Sequence, residues 1–389
     1  MKRYYSFSKE FKRRIAEQKE KESVVGSEVK IKRIELNKTQ SYVADGICSI
    51  AYISRLEAND GKPNEHFSDI CDKINMNPKA IDDLYELSND LEVLTNAFYH
   101  FDDEAFASEL VIIKDFKNYR ATLLKFICFL YKKDLKEAYD YYDRLLPLIK
   151  TMYDTDLTYF SLFSGIFHYL GGSFREAQDD LLALVDIKLT HNQEMLRDIY
   201  LLFIDLRLSN LEAIKNYFDI HDKLINEALY QYAEEISYYF CLFLAKNKVD
   251  NLYNLILKRI TKKEYINTII FYYEFFNNNK IMDFNSKEIN DFSLAVIRIN
   301  NYSKKAASKA LLDNSSITRL DFEYYILEYL MVPKKQRREY IINNIPVYKE
   351  IGDKFLNKYF MSELVKISSN TKIYKDIRDY YDKIFLENY

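Results

Sequence analysis

Residues 37–64 read NKTQSYVADGICSIAYISRLEANDGKPN, and this stretch predicts two short helices joined by a tight turn. Thr39 and Ser49 precede the two apolar segments, and their hydroxyl groups can accept the unpaired amides of a first helical turn. The sequence therefore predicts helices over 40–46 and 49–57.

The apolar positions of this stretch are spaced so that the two helices can pack together. They are Val43, Ala44, Ile47, Ile53 and Leu56. Gly46 eases the turn because glycine adopts backbone conformations that other residues avoid.

Turn-forming residues concentrate around this stretch. Three of the seven glycines and two of the five prolines lie between residues 26 and 78, so helices there must be short. We expect a compact domain with Asn64 as a third N-cap. Its five helices are predicted at 27–36, 40–46, 49–57, 64–75 and 79–88.

The rest of the chain favours longer helices. Seven glycines and five prolines in 389 residues are few, while 48% of the residues are apolar and 30% are charged. Because strands and turns need more breaking residues than this, we expect an all-α protein.

A short pattern recurs after residue 90. The segments KKDLKEAYDYYDRLL, GGSFREAQDDLLALV and LSNLEAIKNYFDIHDKL centre on Ala138, Ala177 and Ala213, and an apolar helix precedes each. Weaker copies follow near KNKVDNLYNLI and around Ala306. The pattern resembles degenerate tetratricopeptide repeats, which stack paired antiparallel helices into a right-handed solenoid. The small Ala side chains are then core residues that let two helices approach closely.

The stretch 37–64 resembles the helix-turn-helix of phage repressors, in which Thr-Gln opens the second helix and Ile-Ser-Arg-Leu-Glu closes the third. This resemblance implies that the third helix enters the DNA major groove. Lys30, Lys38 and Lys62 are expected to contact only the DNA backbone. The candidate DNA-binding residues are Lys38, Thr39, Gln40, Ser49, Ile50, Ala51, Tyr52, Ser54 and Arg55.

The amino terminus is basic, whereas the whole chain carries a formal charge of −3. Residues 1–40 hold twelve Lys or Arg and six Asp or Glu, a net charge of +6. Residues 1–25 therefore suit a basic arm that steers the protein to DNA, or a solvated end without that role.

The two parts together resemble the peptide-pheromone-responsive transcription regulators of Gram-positive bacteria, the Rgg, NprR, PlcR and PrgX group. The resemblance implies a DNA-binding domain at 26–90 and a repeat domain for ligand sensing and dimerisation at 91–389. It further implies a cytoplasmic homodimer on a repeated operator in double-stranded DNA, controlled by a short quorum-sensing peptide.

A repeat array offers a groove lined by the first helix of each pair, and such grooves bind extended peptides. Aromatic, Asn and Asp side chains on those helices combine apolar area with hydrogen-bonding groups. The candidate peptide-binding residues are Tyr159, Phe163, Tyr200, Asp205, Tyr239, Asn267 and Tyr273.

Several other functions find no support in the sequence. Four cysteines without close spacing indicate neither disulfides nor a metal site, and we expect no cofactor. We expect neither a secretory signal nor a membrane span, since no apolar run is long enough. Catalytic motifs are missing, and His168 on an apolar helix suggests a packed histidine, so an enzyme is not expected.

Two alternative functions stay open, one for each part of the chain. The repeats could form an interaction scaffold, or a regulator controlled by a folded protein partner in place of a peptide. A decayed helix-turn-helix that serves only in packing or dimerisation is a second alternative for the amino-terminal domain.

Overall fold

The computed structural model describes residues 7–17, 25–60, 62–77, 87, 89–116, 118–282, 284, 288–302, 317, 321–367, 375, 377, 378 and 380. All regular structure within these ranges is helical, and no strand occurs in them. The all-α prediction is confirmed.

The chain divides into two compact units. The first comprises residues 1–171 and 176–197, and the second comprises 172–175 and 198–389. The predicted boundary at residue 90 lies inside the first unit, where Ser27 and Asn59 bond the carbonyl of Thr151 and Glu28 bonds the amide of Tyr119.

Twelve of the described helices begin in the stretch up to residue 191. They are α1 Phe7–Glu17, α2 Val25–Glu35, α3 Gln40–Ala44, α4 Ile50–Glu57, α5 Phe67–Lys73, α6 Asp90–His100, α7 Asp103–Ile113, α8 Tyr119–Tyr131, α9 Leu135–Leu145, α10 Asp154–Leu170, α11 Phe174–Leu182 and α12 His191–Arg207. A 3₁₀ turn at Leu146–Leu148 follows α9. The division between the two units falls within α11 and α12.

Eight further helices are described in the remainder of the chain. They are α13 Ala213–Asn226, α14 Tyr230–Asn247, α15 Asp250–Leu257, α16 Lys263–Asn278, α17 Asp291–Tyr302, α18 Phe322–Met331, α19 Arg337–Ile351 and α20 Lys354–Ile367. A 3₁₀ turn at Lys334–Gln336 precedes α19.

Helices α2 to α5 share one apolar core. Its buried members are Val29, Val43, Ala44, Ile53, Leu56, Ile70, Cys71, Ile74 and Met76, and Ile47 packs against it half-buried. The five apolar positions picked from the sequence therefore all contribute to this core, as predicted.

The repeat residues behave as packing residues. Ala138, Ala177 and Ala213 are fully buried, as expected for the small position of each copy. A Cβ on Gly165 of α10 would lie 2.5 Å from the side chain of Leu181 in the last turn of α11. Small residues thus let α10 and α11 approach closely within the first unit.

Aromatic side chains build the core of the second unit. Tyr217 stacks on Phe240 with ring centroids 4.0 Å apart, and Tyr348 stacks on Phe360 at 4.6 Å. The abundant Tyr and Phe of the sequence are therefore largely packing residues in this unit.

One predicted helix begins later than expected, and two other predicted segments lie outside the described residues. The helix expected from Asn64 begins at Phe67, because the Asn64 side chain accepts from the amide of His66 and forms a turn before the helix. The fifth predicted helix, at 79–88, and the repeat copy around Ala306 lie outside the described residues, apart from Leu87.

Candidate nucleic-acid interface

Helices α3 and α4 begin at the two predicted caps. The Thr39 hydroxyl accepts from the amide of Tyr42 at 3.1 Å, and the Ser49 hydroxyl accepts from the amide of Tyr52 at 3.2 Å. Between the helices, Gly46 has a φ of +74°, which other residues adopt only with strain. Local sequence therefore fixes where both helices start and how the chain turns between them.

Helix α4 has one buried face and one exposed face. Ile53 and Leu56 lie in the core, whereas Ala51, Ser54 and Arg55 are exposed to solvent. Ile50 is 52% exposed at the first position of the helix. An exposed helical face of small, polar and cationic side chains, with one isoleucine, is thus held rigidly by the core beneath it.

A buried ion pair ties α2, α3 and α4 together. The Arg33 guanidinium donates to both carboxylate oxygens of Glu57, at 2.6 and 2.8 Å, and the hydrogen bond raises the pKa of Arg33. Arg33 also donates to the carbonyl of Lys38, and the Gln40 amide donates to Glu57 at 2.9 Å. Gln40 is therefore oriented by Glu57, while its amide oxygen has no partner among the described residues.

The remaining predicted DNA-binding residues separate into two groups. Lys38, Thr39 and Ser49 are exposed, with the Lys38 ammonium 4.3 Å from the ring centre of Tyr42. Tyr52 is half-buried, and its hydroxyl accepts from the amide of Asn64, so it braces the loop after α4. Seven of the nine predicted residues are thus exposed, whereas Gln40 and Tyr52 are half-buried and hydrogen-bonded within the first unit.

Two lysines expected at the DNA backbone have different surroundings. Lys62 is exposed beyond the end of α4. The Lys30 ammonium donates to the carbonyl of Pro147 at 3.0 Å, so this lysine faces the repeats of the same unit. Lys73, which the sequence did not single out, lies 5.4 Å from the ring centre of Tyr42 and contributes a further cation near Lys38.

Asn59 joins α2 and the end of α4 to the loop before α10. This residue is fully buried, has a φ of +55°, and accepts from the amide of Gly26 at 2.7 Å. Its amide group donates to the Ser27 hydroxyl at 2.8 Å and to the carbonyl of Thr151. Both hydrogen-bonding ends of one side chain thus connect α2, the end of α4 and the loop before α10.

A second buried link runs from α2 to α8. Glu28 accepts from the amide of Tyr119, and burial raises the pKa of this carboxyl to about 7. The Tyr119 hydroxyl donates to Asp156, which also accepts from Arg120 at 2.9 Å. Burial holds the pKa of Tyr119 well above its usual value, so the hydroxyl keeps the proton that it donates.

The described part of the predicted basic arm is helix α1. Phe7 and Phe11 are buried, and Phe7 packs edge-on against Phe160 with ring centroids 5.4 Å apart. Arg14 is buried and donates to Glu10, to Asp154 and to the carbonyls of Ile149 and Met152. The charge of Arg14 therefore serves contacts within the first unit, while residues 1–6 and 18–24 of the predicted arm lie outside the described residues.

Residues 147–152 receive hydrogen bonds from three separate places. Their carbonyls accept from Arg14 on α1, from Lys30 on α2, and from Ser27 and Asn59. We call residues 147–152 the docking loop. Because its carbonyls accept from several donors, the loop connects α1, α2 and the end of α4 within the first unit.

Three of the seven predicted peptide-binding residues lie in the protein core. Tyr159, Phe163 and Tyr200 are 5%, 0% and 8% exposed, and burial raises the pKa of Tyr159 to about 12. Phe163 packs edge-on against Phe98. These three side chains are packing residues in the structure.

The other four candidates are half-buried and already bonded within the second unit. Asp205 accepts from Asn210 at 2.8 Å, Asn267 donates to Glu288 at 3.3 Å, and Tyr273 donates to Asp250 at 2.8 Å. Tyr239 packs edge-on against Phe203 with centroids 5.6 Å apart. Their role in peptide binding stays a prediction.

A serine, a histidine and an aspartate meet in the first unit without forming a nucleophile array. Ser164 donates to Asp180 at 2.6 Å, and Nδ1 of His168 lies 2.9 Å from the same carboxylate oxygen. Nucleophilic catalysis needs the hydroxyl bonded to the histidine, whereas here it is bonded to the carboxylate and Ser164 is fully buried. His168 is packed and hydrogen-bonded, as its place on an apolar helix suggested.

Sequence reasoning missed the residues that orient the interface. Glu57 lies one and four positions after Leu56 and Ile53, so the helical repeat predicts that it faces the core. A buried carboxylate needs a cation or several donors, and this requirement would have pointed to Arg33. No local signal identifies Asn59 or Thr151, whose contact joins segments distant in sequence.

No family model, characterised protein or solved structure matches this chain. Within the described ranges, no helix has both the length and the apolar character needed to cross a bilayer. In the same ranges, no three His, Cys, Asp or Glu side chains are grouped closely enough to hold a metal ion.

Proposed function

We propose that the protein is a sequence-specific DNA-binding transcription regulator that places α4 in the major groove. The observation that carries this proposal is the exposed face of α4, formed by Ser49, Ile50, Ala51, Ser54 and Arg55. The opposite face of the helix is buried in the core. The major groove is about 12 Å wide, and a helix with its side chains is about 10–12 Å across.

The chemistry of this face suits base edges. The Arg55 guanidinium offers the donor fork that binds guanine, and Ser54 can pair with any base. Ile50 is an exposed apolar residue at the leading end, where it fits the methyl group of thymine. A half-exposed isoleucine at the solvent surface is otherwise unfavourable, and contact with a base removes it from water.

Residues around α3 suit the phosphate backbone. Lys38 and Lys73 both lie near the ring of Tyr42, and Lys62 is exposed after α4. Phosphate contacts of this kind position a protein on DNA and make its affinity fall with salt. Gln40, oriented by Glu57, keeps an amide oxygen and one amide hydrogen for a base edge or a phosphate.

The ligand response belongs to the same proposal. We propose that the repeat domain binds a short signalling peptide, that the protein acts as a cytoplasmic homodimer, and that the peptide changes its affinity for DNA. The support is the resemblance to pheromone-responsive regulators, together with the buried links between the DNA-reading helices and the first repeats. A peptide can change the fraction of the protein that binds DNA only if its affinity differs between the DNA-binding state and the other state.

The test is selection of fragments from the source genome by the purified full chain at two salt concentrations. We expect retention of particular fragments that weakens with salt. Arg55→Ala should weaken binding to a selected fragment by about 1–3 kcal/mol and relax its sequence preference. Lys62→Ala should weaken binding to all sequences alike and reduce the salt dependence by about one ion.

Lys136→Ala is the matched control, because Lys136 is an exposed lysine of α9 away from the DNA-reading helices. Its binding should equal that of the unmodified protein. Equal retention of every fragment, or full retention by Arg55→Ala, would contradict the proposal. The scaffold interpretation would then be favoured, and a folded protein partner would be sought.

A further inference from the structure

A cavity of about 360 Å³ lies in the second unit, where the carboxyl ends of α14 and α16 meet helices α18, α19 and α20. Binding sites for small molecules commonly have volumes of about 300–1,000 Å³. We call this cavity the cationic pocket. None of the predicted peptide-binding residues lines it.

The charges around the cationic pocket are strongly one-sided. One carboxylate lines it, Glu363, and this group is already bonded to Lys366 at 2.6 Å and to the Tyr329 hydroxyl at 2.8 Å. The cationic residues that line it are Lys246, Lys248, Arg337, Lys358 and Lys366. Lys246 is buried and its charge already interacts with Asp353 and Glu323. The other four cations still outnumber the single carboxylate of the lining, so the cavity attracts a negatively charged ligand.

Three of these cations have no carboxylate at ion-pair distance in the described parts of the chain. They are Lys248, Arg337 and Lys358. Arg337 donates to the carbonyls of Leu330 and Val332 and is hydrogen-bonded to the Tyr329 hydroxyl, and its guanidinium lies 4.7 Å from the ring centre of Tyr329. Part of its donor fork is therefore left for a ligand.

The ends of two helices account for only part of this charge. Helices α14 and α16 both end beside the pocket, and Lys248 and Asn279 cap them with left-handed backbone. A helix end carries roughly half a negative charge, so two ends offset about one cation. About two of the three cations without a carboxylate therefore remain without a counterpart in the described residues.

The walls of the pocket are aromatic. Phe276 packs edge-on against Phe355 with ring centroids 4.9 Å apart, and Phe275 and Tyr359 complete the apolar side. Such a wall removes a flat apolar group from water, and ring edges and faces pair well with another ring. The pocket therefore combines an anion-binding rim with a surface for an aromatic body.

We propose that the cationic pocket binds a small aromatic carboxylate. The carboxylate accepts hydrogen bonds from Arg337 and from Lys358 or Lys248, and the aromatic body lies against Phe276, Phe355 and Tyr359. An Arg fork binds a carboxylate through two parallel hydrogen bonds, which are among the strongest in proteins. This site is separate from the α4 face and does not depend on DNA binding by the protein.

The test uses the full chain without DNA. The probe 8-anilinonaphthalene-1-sulfonate, an aromatic anion, is bound and then displaced by 4-phenylbenzoate, and 4-phenylbenzamide serves as the uncharged counterpart. We expect the acid to displace the probe at a concentration at least about tenfold lower than the amide, and the difference to shrink in high salt.

Variants locate the binding. Lys248→Gln with Lys358→Gln changes two exposed side chains, so the fold should persist, and affinity for the acid should fall at least about tenfold. Arg337→Lys keeps the positive charge but loses the forked pair of donors. It should therefore lower the affinity for the acid more than the affinity for the probe. Lys136→Gln with Lys215→Gln, two exposed lysines outside the pocket, is the matched control and should bind as the unmodified chain does.

Equal competition by acid and amide, or unchanged affinity in the Lys248/Lys358 variant, would overturn the proposal. The same carboxylate chemistry is offered by a free aromatic acid and by the carboxyl end of a short peptide. A tetrapeptide ending in Phe, compared with its amidated form and with the free acid, distinguishes these sources. None of these measurements involves DNA, so their failure is separate from a failure of the proposed regulator function.

Discussion

Replacement of Asn59 by glycine isolates the polar contact that joins α2 and the end of α4 to the loop before α10. Asn59 makes hydrogen bonds to Gly26, Ser27 and Thr151, and all of these groups are buried. Glycine accepts the left-handed backbone at this position, so the substitution adds no strain. What is lost is the set of side-chain hydrogen bonds.

The expected cost follows from these contacts. A hydrogen bond contributes about 1 kcal/mol net, and a buried group left without a partner costs about 1–3 kcal/mol. Ser27 and Thr151 stay bonded to each other, so the lost bonds leave only the Gly26 amide without a partner. Three lost bonds and one unpaired amide predict a loss of about 4–6 kcal/mol in the free energy of unfolding of the first unit. Such a loss is a large part of the total stability of a typical domain.

Urea unfolding of the full chain, followed by circular dichroism and tyrosine fluorescence, measures this loss. A chain of 389 residues in two units need not unfold in one step, so the first transition is the quantity to compare. Asn37→Gly is the matched control, because Asn37 has a φ of +53° but is exposed and makes no side-chain hydrogen bond. Equal midpoints for the two variants would refute the reasoning.

Three further predictions concern α2 and its contacts. Arg33→Ala should lower the free energy of unfolding by about 3–5 kcal/mol, because it leaves the buried Glu57 without its cation. Chemical denaturation measures this loss, and a value below about 1 kcal/mol would contradict a stabilising role for the ion pair. Burial raises the pKa of Glu28 to about 7, so the folded state binds this proton more tightly than the unfolded state does. The contribution of Glu28 to the free energy of unfolding is therefore fully present below about pH 4.5, and about 3 kcal/mol of it is lost as the pH rises through 7. Glu28→Gln should flatten the stability profile between pH 5 and 8, and a profile parallel to that of the unmodified chain would argue against this. A Cβ on Gly26 would lie 1.6 Å from a main-chain oxygen of α4, so Gly26→Ala should lower the melting temperature well beyond Gly171→Ala, whose Cβ would meet nothing closer than 3.3 Å.

The sequence predicted what short-range chemistry determines. The starts of α3 and α4 follow from Thr39 and Ser49, whose hydroxyls cap the helices as expected. The buried face of α4 follows from the spacing of Ile53 and Leu56, and the exposed candidates follow by difference. The all-α class and the buried alanines of the repeats were predictable for the same reason.

Long-range contacts were not predictable in this way. The hydrogen bond from Asn59 to Thr151 joins residues that are 92 positions apart, and no local sequence pattern in either segment predicts it. The peptide-binding candidates were chosen by residue type on apolar helices. That choice cannot separate a residue facing a groove from one facing a neighbouring helix, and so it included the buried Phe163. The cationic pocket escaped notice because its cations come from three separate segments, around residues 246, 337 and 362.

The docking loop has a consequence for how this protein can be taken apart or recombined. A fragment cut at residue 90 would lose the carbonyls that Ser27, Lys30 and Asn59 bond, and Glu28 would lose the amide of Tyr119. The smallest exchangeable module therefore extends at least through residue 152. A chimera that grafts α2 to α5 onto another protein should carry that whole segment, since a graft at residue 90 would separate hydrogen-bonded partners.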